Sequence, residues 1–552
     1  MKAAVQTRRN PWIILLVLCL GFFMILLDLT IVNVAIPSII DGLHAGLDEI
    51  LWVLNAYILA YAVLLITAGR LGDMFGAKRL FLVGLAVFTL ASIGCSLAQS
   101  PGQLIAARVI QGVGGAILTP QTLSILTNIF PPDKRGAAFG IWGAVAGVAS
   151  VTGPTLGGFL ITNFSWQAVF WVNVPVGVAA FILGIWLLPD IRLGREQNLD
   201  PVGVLLISGS LFGVVFGLIE GQRYHWGTFT EVASFDAASG HWGLFSIPSL
   251  FVVAAILLVL FVLWDRVQEQ PLVPFSLFGD RNFTVGNGLA AIVSFGMMGL
   301  FLPLSIFLQS VLGFSALKAG LTMAPMPLTS MLIAPLSGRL TDRIGGKYIL
   351  MFGLTCFAAG MGLVVWVSSL NAGQSTFTLP LILAGIGLGC TFAPMTTVTM
   401  QRVNPRLAGA ASGLLNATRQ LGGAFGSAVV GAILQTRLAN ELVSQAQAQA
   451  GSLPPAFRRQ FVQSFAKAAG GVLEVGRGQS GAALPTGIPP AVAARVQQIA
   501  HDVFTQAYIN AMRPSLAVAI GVLLFGALLT NAIIGRRSPS AEALPARAPA
   551  AS

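Results

Sequence analysis

Two side chains in this sequence have the chemistry to carry a proton through a setting where charge is costly. Asp28 lies about 16 residues into the apolar run 12–36, and Arg108 about 7 residues into the run 102–126. On helices crossing a layer in opposite directions, these offsets put Asp28 roughly 24 Å from one face and Arg108 roughly 10 Å from the other. The two depths nearly coincide. Ionisable residues in hydrocarbon usually face a bundle interior, paired, at working positions. Burial favours the neutral form of a carboxylate and a nearby guanidinium the ionised form, so such a pair can bind and release a proton as its geometry changes. The plainer alternative is a static ion pair that fixes two helices. A third charge, Arg419 in Asn416-Ala-Thr-Arg419-Gln420-Leu-Gly-Gly, lies roughly 15 Å into the run 409–435. A cation there needs a carboxylate, carbonyls or water. It either partners an acid and serves structure or coupling, or it attracts an anionic substrate head.

The elements that must hold these residues are membrane helices. Apolar residues make up 55% of the 552, charged residues only 9%, and the mean hydropathy is +0.82. A soluble domain carries about a quarter charged residues. Runs of about 20 apolar residues are long enough to cross about 30 Å of hydrocarbon. They occur at 12–36, 50–69, 80–98, 102–126, 137–161, 166–188, 202–220, 244–264, 283–312, 317–338, 348–368, 377–400, 409–435 and 514–535. The expected fold is therefore an all-α integral membrane bundle of about fourteen helices.

A short loop between two of these runs, Gly69-Arg-Leu-Gly-Asp73-Met-Phe-Gly76-Ala-Lys78-Arg79, comes back later as Gly338-Arg339-Leu-Thr-Asp342-Arg-Ile-Gly-Gly-Lys347. A basic, glycine-rich hinge with one fixed acid, used twice, indicates a duplicated bundle, and internal repeats are how secondary transporters are built. The same spacing takes Gly153-Pro154 to Gly422-Gly423 and, closely, Gly112-Val-Gly114-Gly115 to Gly385-Ile-Gly387-Leu-Gly389. It takes Asp28 to Met297, so the second half lacks a matching acid and coupling is expected to be asymmetric. Glu220 is a weaker proton candidate, and Asp265 is expected to be solvated at a helix end.

Lysine and arginine set orientation. They gather at Lys2, Arg8 and Arg9 and in every second short loop, including Arg192, Arg195, Arg402 and Arg406, and the tail adds Arg536 and Arg537. Both termini are expected in the cytoplasm, which requires an even helix count. This loop bias explains much of the net charge of +11 without a nucleic-acid partner. A cleaved signal peptide is not expected, because the first apolar run is too long and no small-residue cleavage site follows it. Residues 437–512 fall on the other side. Their Ala/Gln-rich ends read as weakly helical around a Gly/Pro-rich middle: a cap or linker, or a hairpin that contacts lipid or guides an amphiphile. Cys19, Cys95, Cys356 and Cys390 lie inside the apolar runs with no metal spacing, as small packing residues. No HExxH, GxSxG or phosphate loop is present, which argues against an enzyme and against ATP-driven transport.

Several motifs together resemble a known family. Leu27-Asp28-Leu-Thr30-Ile-Val-Asn33-Val-Ala-Ile-Pro37, the Gly69–Arg79 loop, Arg108-Val-Ile-Gln111-Gly112-Val-Gly114, Gly153-Pro154-Thr-Leu-Gly157-Gly158, and Trp166 with Phe170-Trp-Val-Asn173-Val-Pro175 occur in the family's order. The chain is identified as a member of the major facilitator superfamily, similar to its fourteen-helix drug:proton antiporter subfamily. The resemblance covers all but 437–512. It implies two six-helix halves, 1–200 and 271–552, with two additional helices at 201–270 between them.

It also implies proton-coupled efflux of amphipathic, lipophilic and often cationic compounds, drugs included, by alternating access across the inner or plasma membrane. Asp28 would be the proton carrier and Arg108 its partner. Gly69, Asp73, Gly76, Lys78, Arg79, Arg339 and Asp342 would latch the cytoplasmic side in the outward-open state. Gly153, Pro154, Gly157 and Gly158 would supply bending and close packing, and Pro325, Pro327 and Pro335 a matching bend in the second half. The cavity is expected to be lined from Asn33, Asn55, Tyr57, Gln121, Phe295, Met298, Gln309, Met323, Met326, Phe392, Met395 and Arg419. Its aromatic and methionine side chains can repack around varied ligands. No cofactor and no metal are expected, the proton gradient being the energy source. Expected partners are protons, membrane lipid and small amphipathic substrates, with the chain acting as a monomer. Export of a lipid or a dedicated native metabolite is an alternative. A non-transporting sensor or scaffold on the same fold is an alternative of another class.

Overall fold

The computed structural model describes residues 10–190, 199–221, 223–224, 226–228, 245–369, 372–451, 453, 455–468 and 490–534. Lys2, Arg8, Arg9, Arg192, Arg195, Arg477, Arg536 and Arg537 lie outside them, as does the middle of the 437–512 segment. The first six spans are α1 (Pro11–Leu43), α2 (Leu47–Phe75), α3 (Ala77–Ser96), α4 (Pro101–Ile129), α5 (Arg135–Asn163) and α6 (Ala168–Leu187). A pair follows, α7 (Pro201–Glu220) and α8 (Ile247–Val267), packed on each other. The last six are α9 (Arg281–Val311), α10 (Leu317–Ile344), α11 (Lys347–Val367), α12 (Gln374–Met400), α13 (Ala408–Ala450) and α14 (Pro490–Leu529).

Thirteen of these are long and apolar enough to cross a membrane by length and composition. The fourteenth, α13, is rich in glycine and alanine and falls short on that measure. It nevertheless packs against α2, α9 and α14, so it lies inside the bundle. Small residues let it do so: a Cβ at Gly422 or Gly426 would strike the α9 backbone at Ala291 or Phe295.

The duplication is visible in packing. Gly112 of α4 sits on Tyr57 and Ala60 of α2, and Gly385 of α12 sits on Met326 and Thr329 of α10. Gly114 meets Gly84 and Phe88 of α3, and Gly387 meets Gly353 and Phe357 of α11. Gly153 of α5 meets Thr30 of α1 where Gly422 of α13 meets Ala291 of α9, which sets Leu289 opposite Asp28 in place of Met297. No acid occurs anywhere in α9.

Three sequence expectations change. Gly153 and Gly157 do pack closely on Thr30, Ile31 and Val34, but nothing lies within 4 Å of where a Cβ at Gly158 would be, so Gly158 is not a packing residue. Asp265 is buried instead of solvated, because its carboxylate accepts the backbone N–H groups of Leu272 (2.6 Å) and Val273 (3.3 Å) and so pins the chain entering the second half. Glu220 is buried with a 3.5 Å ion pair to Arg223, at the end of α7 and away from the Asp28 cluster.

Beyond the spans, α13 and α14 continue as helices and meet a short helix, Pro455–Ala468. Leu438, Leu442, Ala446, Phe461, Phe465, Val503 and Phe504 bury together there. Tyr508 ties the group to α9 by donating to the Pro303 carbonyl at 2.9 Å.

Candidate functional site

The Asp28 carboxylate is fully buried among four helices. The Arg108 guanidinium donates to its Oδ2, while Oδ1 accepts from Gln111 Nε2 at 2.9 Å and Asn173 Nδ2 at 3.0 Å. Arg108 also donates to the Val53 carbonyl of α2 (3.1 Å) and to Gln111 Oε1 (2.7 Å), and lies 4.4 Å over the Tyr57 ring. Behind them Ser92 of α3 accepts from Asn173 at 3.1 Å and donates to the Phe170 carbonyl at 2.9 Å. A buried charge is tolerable only when paired and hydrogen-bonded, and this carboxylate is both. Three side chains converge on this one charge.

Gln111 and Asn173 stand within motifs that the sequence displays, yet residue type alone does not mark them as ligands of the carboxylate. Periodicity was the available signal, since Arg108 and Gln111 are three apart and share a helix face. Tyr57, expected in the cavity, belongs to this cluster instead; it is fully buried and its hydroxyl has no hydrogen-bond partner among the described residues.

The repeated hinges form two matching clasps on one face of the bundle, here termed the latch face. Asp73 accepts the N–H groups of Gly409 and Ala410, each at 2.8 Å, at the start of α13. Asp342 accepts those of Gly136 (2.8 Å) and Ala137 (2.9 Å) at the start of α5. Each acid thus caps the positive end of a long helix in the other half, where free N–H groups and the helix dipole favour an anion. Glycines make room: a Cβ at Gly69 or Gly338 would collide with the carbonyl oxygen of Gly409 or Gly136. Gly76 and Gly345 turn the chain with φ of 95° and 87°.

The basic residues expected in the clasp are elsewhere. Lys78 donates to the Ile185 and Leu188 carbonyls at the end of α6 (2.8 and 2.7 Å). Arg79 and Arg339 are exposed, and neither pairs with Asp73 or Asp342. Backbone N–H groups satisfy the acids, so Arg79 and Arg339 can stay in water.

From this face the halves stay in contact where Gly413 of α13 meets Leu65 of α2 and, deeper, where Gly147 of α5 meets Pro327 of α10. Several residues expected in the cavity sort by depth. Gln121 is excluded: it is buried between α2 and α4, donating to the Ala68 carbonyl at 2.9 Å with its side chain against Gly72. Met323, Met326 and Met395 are buried in the core. Asn55, Phe295 and Gln309 are half-buried, and Asn33 and Met298 are exposed. Gln309 lies in a π-helical turn, Phe307–Val311, and donates to Ser305 at 3.0 Å. Phe392 and Arg419 meet directly, with the guanidinium 4.5 Å over the ring.

Two six-helix halves clasped at one face, with Asp28 and Arg108 paired inside the first, have the architecture of a membrane transporter. The Major Facilitator Superfamily model matches residues 18–427, and the chain belongs to that family. It is 40% identical to an uncharacterised MFS-type transporter of Mycobacterium tuberculosis, over 80% of this chain and 74% of that one. It is 36% identical to the tetracenomycin C resistance and export protein of Streptomyces glaucescens, over 78% and 77%. The crystal structure of the human organic anion transporter MFSD10 superposes with a TM-score of 0.56 at 13% identity, over 94% of this chain and all of that one, which shows a shared fold. The chain is thus a multi-pass membrane transporter, not an enzyme, and relatives of its kind are drug and antibiotic resistance exporters.

Proposed function

We propose that this protein is a proton-driven exporter of amphipathic compounds from the cytoplasm, working by alternating access. The observation that carries this reading is Asp28: a carboxylate sealed within a membrane bundle and held by Arg108, Gln111 and Asn173. The latch face is assigned to the cytoplasm because the short basic loops lie on it, and both termini go with it. The clasped state is then the one that faces outward. Proton binding at Asp28 would release Arg108 and loosen α1 from α4. With that contact weakened, the two clasps can open and the cavity can reach the cytoplasm. Release of the proton inward would restore the pair. No cofactor takes part, and the gradient supplies the energy. The relatives named for tetracenomycin C resistance and export, actinorhodin transport and multidrug resistance support an exporter of drug-like compounds.

The test is efflux of a lipophilic dye from energised vesicles with and without an uncoupler. Wild-type efflux should collapse on uncoupling, and Asp28→Asn should show no active efflux. Efflux indifferent to both would remove Asp28 from the mechanism.

A further inference from the structure

Among the described residues, Arg419 is a charge near mid-depth that no ion pair balances. Apart from Asp28, the acids of the described spans stand near helix ends: Asp73 and Asp342 in the clasps, Glu220 beside Arg223, Asp265 holding a loop. Helices α4, α5, α9, α11 and α12 contain no acid at all. Asp28 is answered by Arg108. Arg419 of α13 is left over, half-buried, with no ion pair or hydrogen bond to another described residue.

Its surroundings are aromatic and lie between the halves. The guanidinium sits over Phe392 of α12 and within electrostatic range of Tyr61 of α2. Phe392 in turn faces α5, since a Cβ at Gly143 would lie 3.7 Å from its Cβ. A guanidinium over a ring, where elements of both halves meet, is weakly hydrated and keeps its planar donor edge available. Such an edge suits a planar or multi-oxygen anion, which it can bind through paired charge-assisted hydrogen bonds. A lipophilic cation brought against Arg419 meets like charge in a low-dielectric setting, which disfavours it.

We propose that Arg419, Phe392 and Tyr61 form a subsite for the anionic group of an aromatic or lipophilic acid (a sulfonate, carboxylate or phenolate), and that this transporter selects such anions over lipophilic cations. The proposal rests on the exporter reading above and departs from the often-cationic substrates that the sequence resemblance implies. Tyr61 also links the subsite to the proton site: it stacks on Tyr57 at 6.0 Å between ring centroids, and Arg108 lies over Tyr57.

The test uses binding, so that it does not depend on transport. Calorimetry on the purified full chain in lipid nanodiscs, corrected with empty nanodiscs, compares 8-anilinonaphthalene-1-sulfonate with N-phenyl-1-naphthylamine, the same ring system without the sulfonate, and with ethidium. Wild type should bind the sulfonate at least tenfold more tightly than ethidium. Arg419→Gln should lower sulfonate affinity about tenfold, the scale of one lost charge-assisted contact, while binding of the neutral parent changes less than twofold. Arg419→Lys should keep part of the preference. Preserved binding of the neutral parent reports that the Gln variant is folded. Equal affinity for ethidium and the sulfonate, no saturable sulfonate binding, or sulfonate affinity unchanged in Arg419→Gln would each overturn the proposal. Failure of the exporter reading shows separately, as sulfonate binding that depends on Arg419 in a protein whose dye transport ignores the proton gradient.

Discussion

Asp73 and Asp342 each accept two backbone N–H groups at 2.8 to 2.9 Å from the first turn of a helix in the opposite half. A few turns deeper the halves part company. Where the first half places Tyr57, Ser92, Arg108 and Gln111, the packing of Gly112, Gly114, Gly385 and Gly387 puts Met326, Met361, Leu381 and Ala384 in the second. All four replacements are buried and apolar. The symmetric part is mechanical, since both halves must close on one another. The asymmetric part is chemical. A second buried ion pair in the other half would add desolvation cost.

Several measurements would break or sharpen this contrast. Asp28→Asn should have the largest effect, lowering active efflux at least a hundredfold, to the level seen with an uncoupler. Arg108→Lys keeps the charge but loses the simultaneous contacts to Asp28, Gln111 and Val53. It should cost about tenfold in efflux, because the two cations are not interchangeable at a forked site. An Arg108→Lys variant with wild-type rates would make the pair a simple charge balance.

At the clasps the expectation is equality. Asp73→Asn and Asp342→Asn should each weaken closure of the latch face by about 1–3 kcal/mol, the scale of losing charged acceptors at a helix start. Distances between spin labels at exposed positions 79 and 339 should broaden alike in both variants. A response to only one acid would end the mechanical equivalence. The smallest effects belong to the second-half core: Met361→Leu and Leu381→Met keep volume and should cost less than about 1.5 kcal/mol in thermal unfolding, with the uncoupler response of efflux unchanged.

Much of this was legible in the sequence because membrane helices announce themselves by length and apolarity. Even α13, which hydropathy alone misses, was recoverable from its uninterrupted run. The recurrent hinge acid was equally plain. Its partners were less so: a place at a helix start suits the acid, but the amides of Gly409 and Ala410 carry no side-chain signature and lie far along the chain, and basic residues across the interface were expected as well. Gln121 misled for a related reason. A polar residue in a span suggests a cavity, but Gly72 opens a niche that turns it toward the Ala68 carbonyl. Asp265 was expected in water because nothing in the sequence marks the loop that folds back to give it the Leu272 and Val273 amides. Gln111 and Asn173 needed the third dimension to meet Asp28.

The extensions of α13 and α14 have a consequence for how the molecule can be watched. They pack on each other and on α9, all within the second half. Any rocking of that half therefore swings them as a mast. Residue 450 stands about 45 Å along α13 from residue 420 near the bundle centre. Each 10° of relative tilt would then displace the tip by about 8 Å on that lever arm. A pair of fluorophores, one at the mast tip and one on the first half, would turn a small rotation at the core into a distance change that single-molecule energy transfer can follow turnover by turnover.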